Sequence, residues 1–153
     1  CRKEDEEALC AVCGGGLSAA PNYIVFCERC DVAVHQHCYG ITDIPPAAGG
    51  ADTRQLEGGS LAAECTLCPV RCGAFRRTVD TGDWVHQVCA LWVPDVKVRA
   101  GAGAEAVEGV ASIKAERWGV PCTLCHSSRG VVLRCNAGHC TLPFHALCAR
   151  NAG

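Results

Sequence analysis

The chain contains no methionine and only eight aromatic residues among 153. Leu, Ile, Val and Phe together number 33. That is just above the fifth of a chain below which a sequence reads as disordered. The 49% apolar fraction is carried largely by 22 Ala and 15 Cys. A single close-packed domain of this length needs more large side chains. Composition therefore argues against a large one-core enzyme and favours several small units, each held by its own staple. No apolar run approaches the roughly 18 residues of a membrane span, so no membrane partner is expected. Gly14-Gly15-Gly16 leads into Leu17 rather than a Gly-Lys-Ser sequence, so no phosphate-binding loop is present. The segment from Cys1 to Cys10 is charged and lacks an apolar run, so it does not read as a secretory leader.

What the chain has instead is cysteine, at about a tenth of its residues. The count is odd, which speaks against a closed disulfide framework. The spacing says more. Cys10/Cys13, Cys27/Cys30, Cys65/Cys68 and Cys122/Cys125 are Cys-x2-Cys pairs. His35/Cys38, His86/Cys89 and His145/Cys148 are His-x2-Cys pairs. A Cys-x2-Cys turn lets two thiolates reach one tetrahedral zinc at about 2.3 Å. Disulfides have no use for a His three residues before a Cys, repeated three times. The expected cofactor is therefore Zn2+.

The pairs assemble into three complete sites: Cys10, Cys13, His35, Cys38; Cys65, Cys68, His86, Cys89; and Cys122, Cys125, His145, Cys148. Cys27/Cys30 and Cys135/Cys140 form two half sites. Cys1 and Cys72 are left over, with His37, His126 and His139. Two stretches rich in Gly, Ala and Pro or Glu, Pro45 to Ala63 and Arg99 to Val110, read as connectors. Tyr23–Phe26 and Val131–Leu133 are β-prone runs, and short helices are expected after His86 and His145. Trp84, Trp92 and Trp118 read as anchors of small cores.

Ligands in the first segment are interleaved. The run Phe26-Cys27-Glu-Arg-Cys30-Asp-Val-Ala-Val-His35-Gln-His-Cys38-Tyr39 resembles the plant homeodomain (PHD) finger, whose ligand order is four Cys, one His and three Cys. The second segment, Cys65-Thr-Leu-Cys68-Pro69 with Asp83-Trp84-Val-His86-Gln-Val-Cys89-Ala-Leu-Trp92, resembles the zinc knuckle that joins two such fingers. The third, Cys122-Thr-Leu-Cys125 through Cys135, Cys140, His145 and Cys148, resembles an extended PHD finger. Finger, knuckle and extended finger in this order are similar to a module of bromodomain/PHD scaffold proteins in histone acetyltransferase complexes, of AF-ten-like proteins and of plant-type trithorax-like histone methyltransferases.

The resemblance implies a small zinc-stabilised α+β fold: tandem cross-brace fingers joined by a knuckle, with little regular secondary structure. It implies a finger at 8–60, a knuckle at 61–99, a linker at 100–117 and an extended finger at 118–153. Two departures stand out. The closing Trp-x-Cys-x2-Cys of the first finger is absent, which leaves Cys27 and Cys30 without their usual partners. A mis-assembled coding sequence, a degenerate finger, or rescue by Cys72, Cys1 or His37 would each explain this. Cys135 and Cys140 likewise lack a later pair, so the chain reads as a fragment.

Four-ligand sites of Cys and His are structural, since catalytic zinc keeps a place for water. The fragment is therefore not expected to be an enzyme. Its charge is uneven. Residues 1–60 carry four basic and nine acidic side chains, and residues 61–153 ten and seven. An acidic first finger suits a basic peptide. By resemblance that peptide is the N-terminal tail of histone H3, added as a strand beside Tyr23, Ile24, Val25 and Phe26. Glu28 and Asp31 are the nearest acidic candidates for its cations. Tyr23, Phe26 and Tyr39 make no convincing methyl-lysine cage, so an unmodified tail is expected.

In the second half, Arg71, Arg76, Arg77, Lys97, Arg99, Lys114, Arg117, Arg129 and Arg134 are candidates for contact with nucleosomal DNA. Other subunits of a chromatin-modifying complex would be partners, and the nucleus the compartment. The alternatives include a targeting fragment of a histone lysine methyltransferase and a RING-like ubiquitin ligase module. A RING finger would place its His directly after the third Cys, whereas Cys30 precedes His35 by five positions.

Overall fold

The computed structural model describes residues 8–27, 31–41, 63–99 and 105–153. Cys1, Glu28, Cys30 and most of the connector from Pro45 onward lie outside the described residues.

Each Cys-rich segment builds a strand that runs to or up to a His, followed at once by a helix. In the first, β1 (Ile24–Phe26) pairs antiparallel with β2 (Ala33–His35), and α1 (Gln36–Tyr39) follows. In the second, β3 (Phe75–Thr78) pairs antiparallel with β4 (Trp84–His86), and α2 (Gln87–Trp92) follows. After β5 (Lys97–Val98) and β6 (Glu105–Glu108), the third segment pairs β7 (Leu133–Arg134) antiparallel with β8 (Pro143–Phe144), and α3 (Ala146–Ala152) follows. The helices expected after His86 and His145 are thus present. The Val131–Leu133 run contributes only its last residue to a strand, because Val131 instead bridges Trp118 and donates its N–H to Leu67.

Composition reads 100–117 as a connector, and the structure corrects this over its described part. Glu105–Glu108 lies inside a four-stranded sheet of order β4-β3-β6-β5, parallel to β3 and antiparallel to β5. Val110–Ser112 and Ala115–Arg117 are 3-10 turns. The Gly/Ala/Glu run hid the strand because only Val107 has the side chain of a buried strand residue. That side chain is fully buried. Gly109 has φ 97° and sits so close to the Asp95 carbonyl that a Cβ would lie 2.2 Å from it. Only glycine fits there. The Asp80 carboxylate then accepts the N–H groups of Gly109 and Ala111, both at 3.0 Å, and holds the turn against the β3–β4 hairpin. Burial alone would raise the Asp80 carboxyl, but these and neighbouring N–H donors hold it below its usual range.

A second correction concerns the core. Separate small units predict separate cores, yet one contiguous buried cluster runs through all three segments. It includes Val12 and Val34 of the first, Leu67, Phe75, Val85 and Val107 of the second, and Val131 and Leu147 of the third. The scarcity of large side chains is met by sharing one core. Trp84 and Trp118 pack against it as expected, whereas Trp92 is 45% exposed at the end of α2.

Candidate metal centres

Three Cys/His tetrads stand in the structure, and they match the three complete sites read from the sequence. They are Cys10, Cys13, His35, Cys38; Cys65, Cys68, His86, Cys89; and Cys122, Cys125, His145, Cys148, with donor atoms within 4.8 Å of one another. The local reason is the same each time. The His lies in extended backbone at the helix N-cap, with φ and ψ of −68° and 145°, −66° and 144°, and −80° and 143°. The next Cys sits one helical turn on, so His and Cys face one side. The His backbone N–H then meets the first Cys Sγ, at 3.2, 3.4 and 3.4 Å. The His Nδ1 lies 3.2, 3.3 and 3.4 Å from the second Cys Sγ.

These distances fit zinc. Bonds of about 2.3 Å to sulfur and 2.0–2.1 Å to nitrogen in a tetrahedron place S and N roughly 3.5 Å apart. In the first two tetrads the far ring nitrogen completes the case, whereas the buried His145 Nε2 has no hydrogen-bond partner among the described residues. His35 Nε2 faces the Leu17 carbonyl at 3.0 Å, and His86 Nε2 the Cys72 carbonyl at 3.1 Å. A carbonyl at Nε2 fixes the proton there and leaves Nδ1 as the donor to a metal. That is also the role of Cys72, whose thiol is exposed while its carbonyl orients His86.

The thiols resist ionising together. In the first tetrad burial works to raise Cys10, but the N–H groups of Cys13, His35 and Val12 bring it down to about 7. Burial, then the charge of Cys10, pushes Cys38 up to about 12. Burial and then Cys125 push Cys148 up to about 12. In the second tetrad Cys65 is lowered and Cys68 raised, each chiefly through its thiol neighbours against or alongside burial. Three close thiolates need a dication between them. The second tetrad is buried at all four residues, whereas Cys13 and Cys125 of the outer two are exposed.

The half sites differ. Cys27 is buried, and its partner Cys30 lies outside the described residues. Cys135 and Cys140 lie in the loop between β7 and β8, where the Ala137 N–H and then Cys140 lower the Cys135 thiol. Among the described residues Cys135 and Cys140 fall in no cluster of three or more Cys, His or carboxylate donors.

The residues expected to meet a peptide form β1 and its approach. Tyr23 and Phe26 are 44% and 56% exposed. Tyr23 O accepts from Gln36 N and Cys27 N donates to Val32 O, both at 3.0 Å. By antiparallel alternation the backbone groups of Ile24 and Phe26 therefore face away from β2. The Ile24 N–H meets Ser18 Oγ at 3.0 Å. Among the described residues no strand pairs with this outer edge. Asp31 is exposed, in left-handed backbone at φ 53°, and Glu28 lies outside the described residues.

The basic residues of the second half are mostly engaged. Arg76 is buried, stacks 4.2 Å over Tyr39 and bonds to Gln87 and to the Tyr39 carbonyl. Arg71 and Arg129 both pair with Glu64, Arg99 with Glu108, and Arg117 with Asp95. Sequence reasoning missed the interlocking roles of Arg76, Gln87 and Arg150. One signal was available: Gln follows the ligand His twice, as Gln36 and Gln87, and both are buried.

Residues 63–153 match a family model described as a PHD-zinc-finger like domain, and residues 21–48 match a PHD-finger model. The chain belongs to the PHD-zinc-finger-like family. This PHD module is 37% identical over 145 residues to Protein Jade-3 of Danio rerio, covering 95% of the chain and 18% of that protein. It is 36% identical over 149 residues to the human E3 ubiquitin-protein ligase Jade-2, covering 97% and 18%. It is 38% identical over 150 residues to the human Bromodomain and PHD finger-containing protein 3, covering 97% and 12%. The chain therefore spans less than a fifth of the length of these relatives. The crystal structure of zebrafish PHF14-PZP superposes with a TM-score of 0.73 at 34% identity, covering 94% of this chain and 75% of that one. A PHD module of this kind is a zinc-finger reader domain rather than a catalytic one.

Proposed function

We propose that the PHD module reads the N-terminal tail of histone H3, unmodified, for a larger chromatin-regulating protein of the nucleus. The observation that carries this reading is the outer edge of β1. Its backbone groups at Ile24 and Phe26 face away from β2, beside two exposed aromatic rings. An extended peptide adds to such an edge through main-chain hydrogen bonds, and alternate side chains give specificity. The acidic first segment favours a basic partner. Asp31, and Glu28 by resemblance, are the proposed counter-charges.

The sixteen Cys and His positions named above are proposed as metal ligands, twelve of them in the three tetrads. The proposed division remains 8–60, 61–99 and 118–153, with Glu105–Glu108 assigned to the sheet of the knuckle rather than to a linker. DNA contact is a weaker second activity. Of its nine candidate residues, Arg77, Lys97, Lys114 and Arg134 are neither buried nor ion-paired among the described residues. The name of Jade-2 keeps a ligase role open for a parent protein, but closed Cys/His tetrads supply no catalytic group for one.

Isothermal calorimetry of zinc-loaded protein with an H3 tail peptide tests the reading. Saturable binding is expected, weakened when the peptide's N-terminus is acetylated. No heat with any H3 tail peptide would remove the reader assignment.

A further inference from the structure

Helix α3 carries two kinds of residue. Cys148 belongs to the third tetrad. Two positions on, Arg150 reaches the first tetrad, 140 residues away in sequence, and donates from Nη2 to the Cys10 carbonyl at 2.6 Å. Its guanidinium also lies against the turn after Cys13: a Cβ built on Gly14 would meet Arg150 Nε at 3.7 Å. Asn151 Oδ1 accepts from Nη1 at 2.8 Å, and the buried Nε has no hydrogen-bond partner. The guanidinium thus bridges its own helix, at Asn151, and the first Cys-x2-Cys turn, at Cys10.

Loading supplies the physical reason for that placement. Three thiolates and a neutral imidazole around a dication leave one formal negative charge on the cage. A guanidinium on the carbonyl of a ligand residue favours the charged, loaded cage over the empty one. Arg150 shares α3 with the ligand Cys148, so a metal held by His145 and Cys148 would fix the helix that carries it. The other two junctions are built alike. Gln87, next to His86, donates to the Cys38 carbonyl at 3.2 Å. Val131 donates to the carbonyl of Leu67, inside the second Cys-x2-Cys turn, at 3.0 Å. Every tetrad thus touches the other two through hydrogen bonds to carbonyls in or beside their Cys ligands.

From this geometry we infer that Arg150 is a positioning residue that couples metal loading of the third tetrad to the first, so that the three tetrads load as a cooperative set. Coupling between sites is reciprocal, so an occupied first tetrad strengthens the third by the same factor.

Native mass spectrometry of the full chain at substoichiometric zinc reads the coupling directly. Wild type is expected as metal-free and three-zinc species, with one- and two-zinc species below their statistical share. Arg150→Gln should raise those intermediates and weaken loading about tenfold against a competing chelator. Lys114→Gln, an exposed charge outside the three junctions, should behave as wild type. Statistical intermediates in wild type, or unaltered loading in Arg150→Gln, would overturn the inference. If Arg150→Gln does not fold, the wild-type distribution decides alone.

Discussion

The Tyr39 hydroxyl donates to the Phe75 carbonyl at 2.6 Å, joining the residue after one tetrad's last Cys to the strand that leads to the next tetrad. Phe75 in turn stacks on His86, with ring centroids 4.1 Å apart. Tyr39→Phe keeps the ring beneath Arg76 and removes only the hydroxyl. The Phe75 carbonyl then loses one partner, at a cost of about 1 kcal/mol in stability. Chemical denaturation of the zinc-loaded protein measures it. An unchanged midpoint would mean that the bond does not hold the junction.

Gly130 is fixed by contact as well as by backbone. Its φ is 105°, and a Cβ would lie 2.6 Å from the Leu67 carbonyl. Gly130→Ala must either separate the second and third segments or strain the backbone, at roughly 2–3 kcal/mol. The neighbouring bond from Val131 N to Leu67 O reports which occurs, because its amide would lose protection from hydrogen exchange. Retained protection with wild-type stability would contradict the contact.

Zinc loading should expel protons. In the metal-free tetrads Cys38 and Cys148 are pushed up to about 12, so both thiols are protonated at neutral pH. Zinc binds the thiolate, hence apparent affinity rises with pH and falls as acid is added, about tenfold per pH unit for each proton released. Calorimetry in buffers of different ionisation enthalpy counts those protons. A count of zero at pH 7 would show that the thiols are already ionised before metal arrives.

Much of the candidate site was legible in the sequence, because Cys-x2-Cys and His-x2-Cys spacing is a short-range constraint. All four donors of each tetrad were readable as two local pairs, and the strand–His–helix unit repeats with them. The strand at Ile24–Phe26 was legible from local signal too, as a β-prone run entering Cys27. The strand at Glu105–Glu108 was not. Its pairing with β3 and β5 is set by partners elsewhere in the chain, and its own Ala and Glu carry almost no strand signal. Nor was the fate of the basic residues legible. Whether Arg76 is a buried clamp or a phosphate contact depends on Tyr39 and Gln87, which reach it only after the segments pack.

By itself the sequence determined the metal chemistry and the ligands of the three complete sites. Ligand spacing alone decides these, since a tetrahedral ion accepts only donors the local chain can bring within bonding reach. The tertiary structure decided that the three units share one core and touch at the carbonyls of Cys10, Cys38 and Leu67. It also decided which charges remain available at the surface. Those outcomes rest on packing between residues far apart in the chain, where a small supply of large side chains is sufficient only when every segment buries its share against the others.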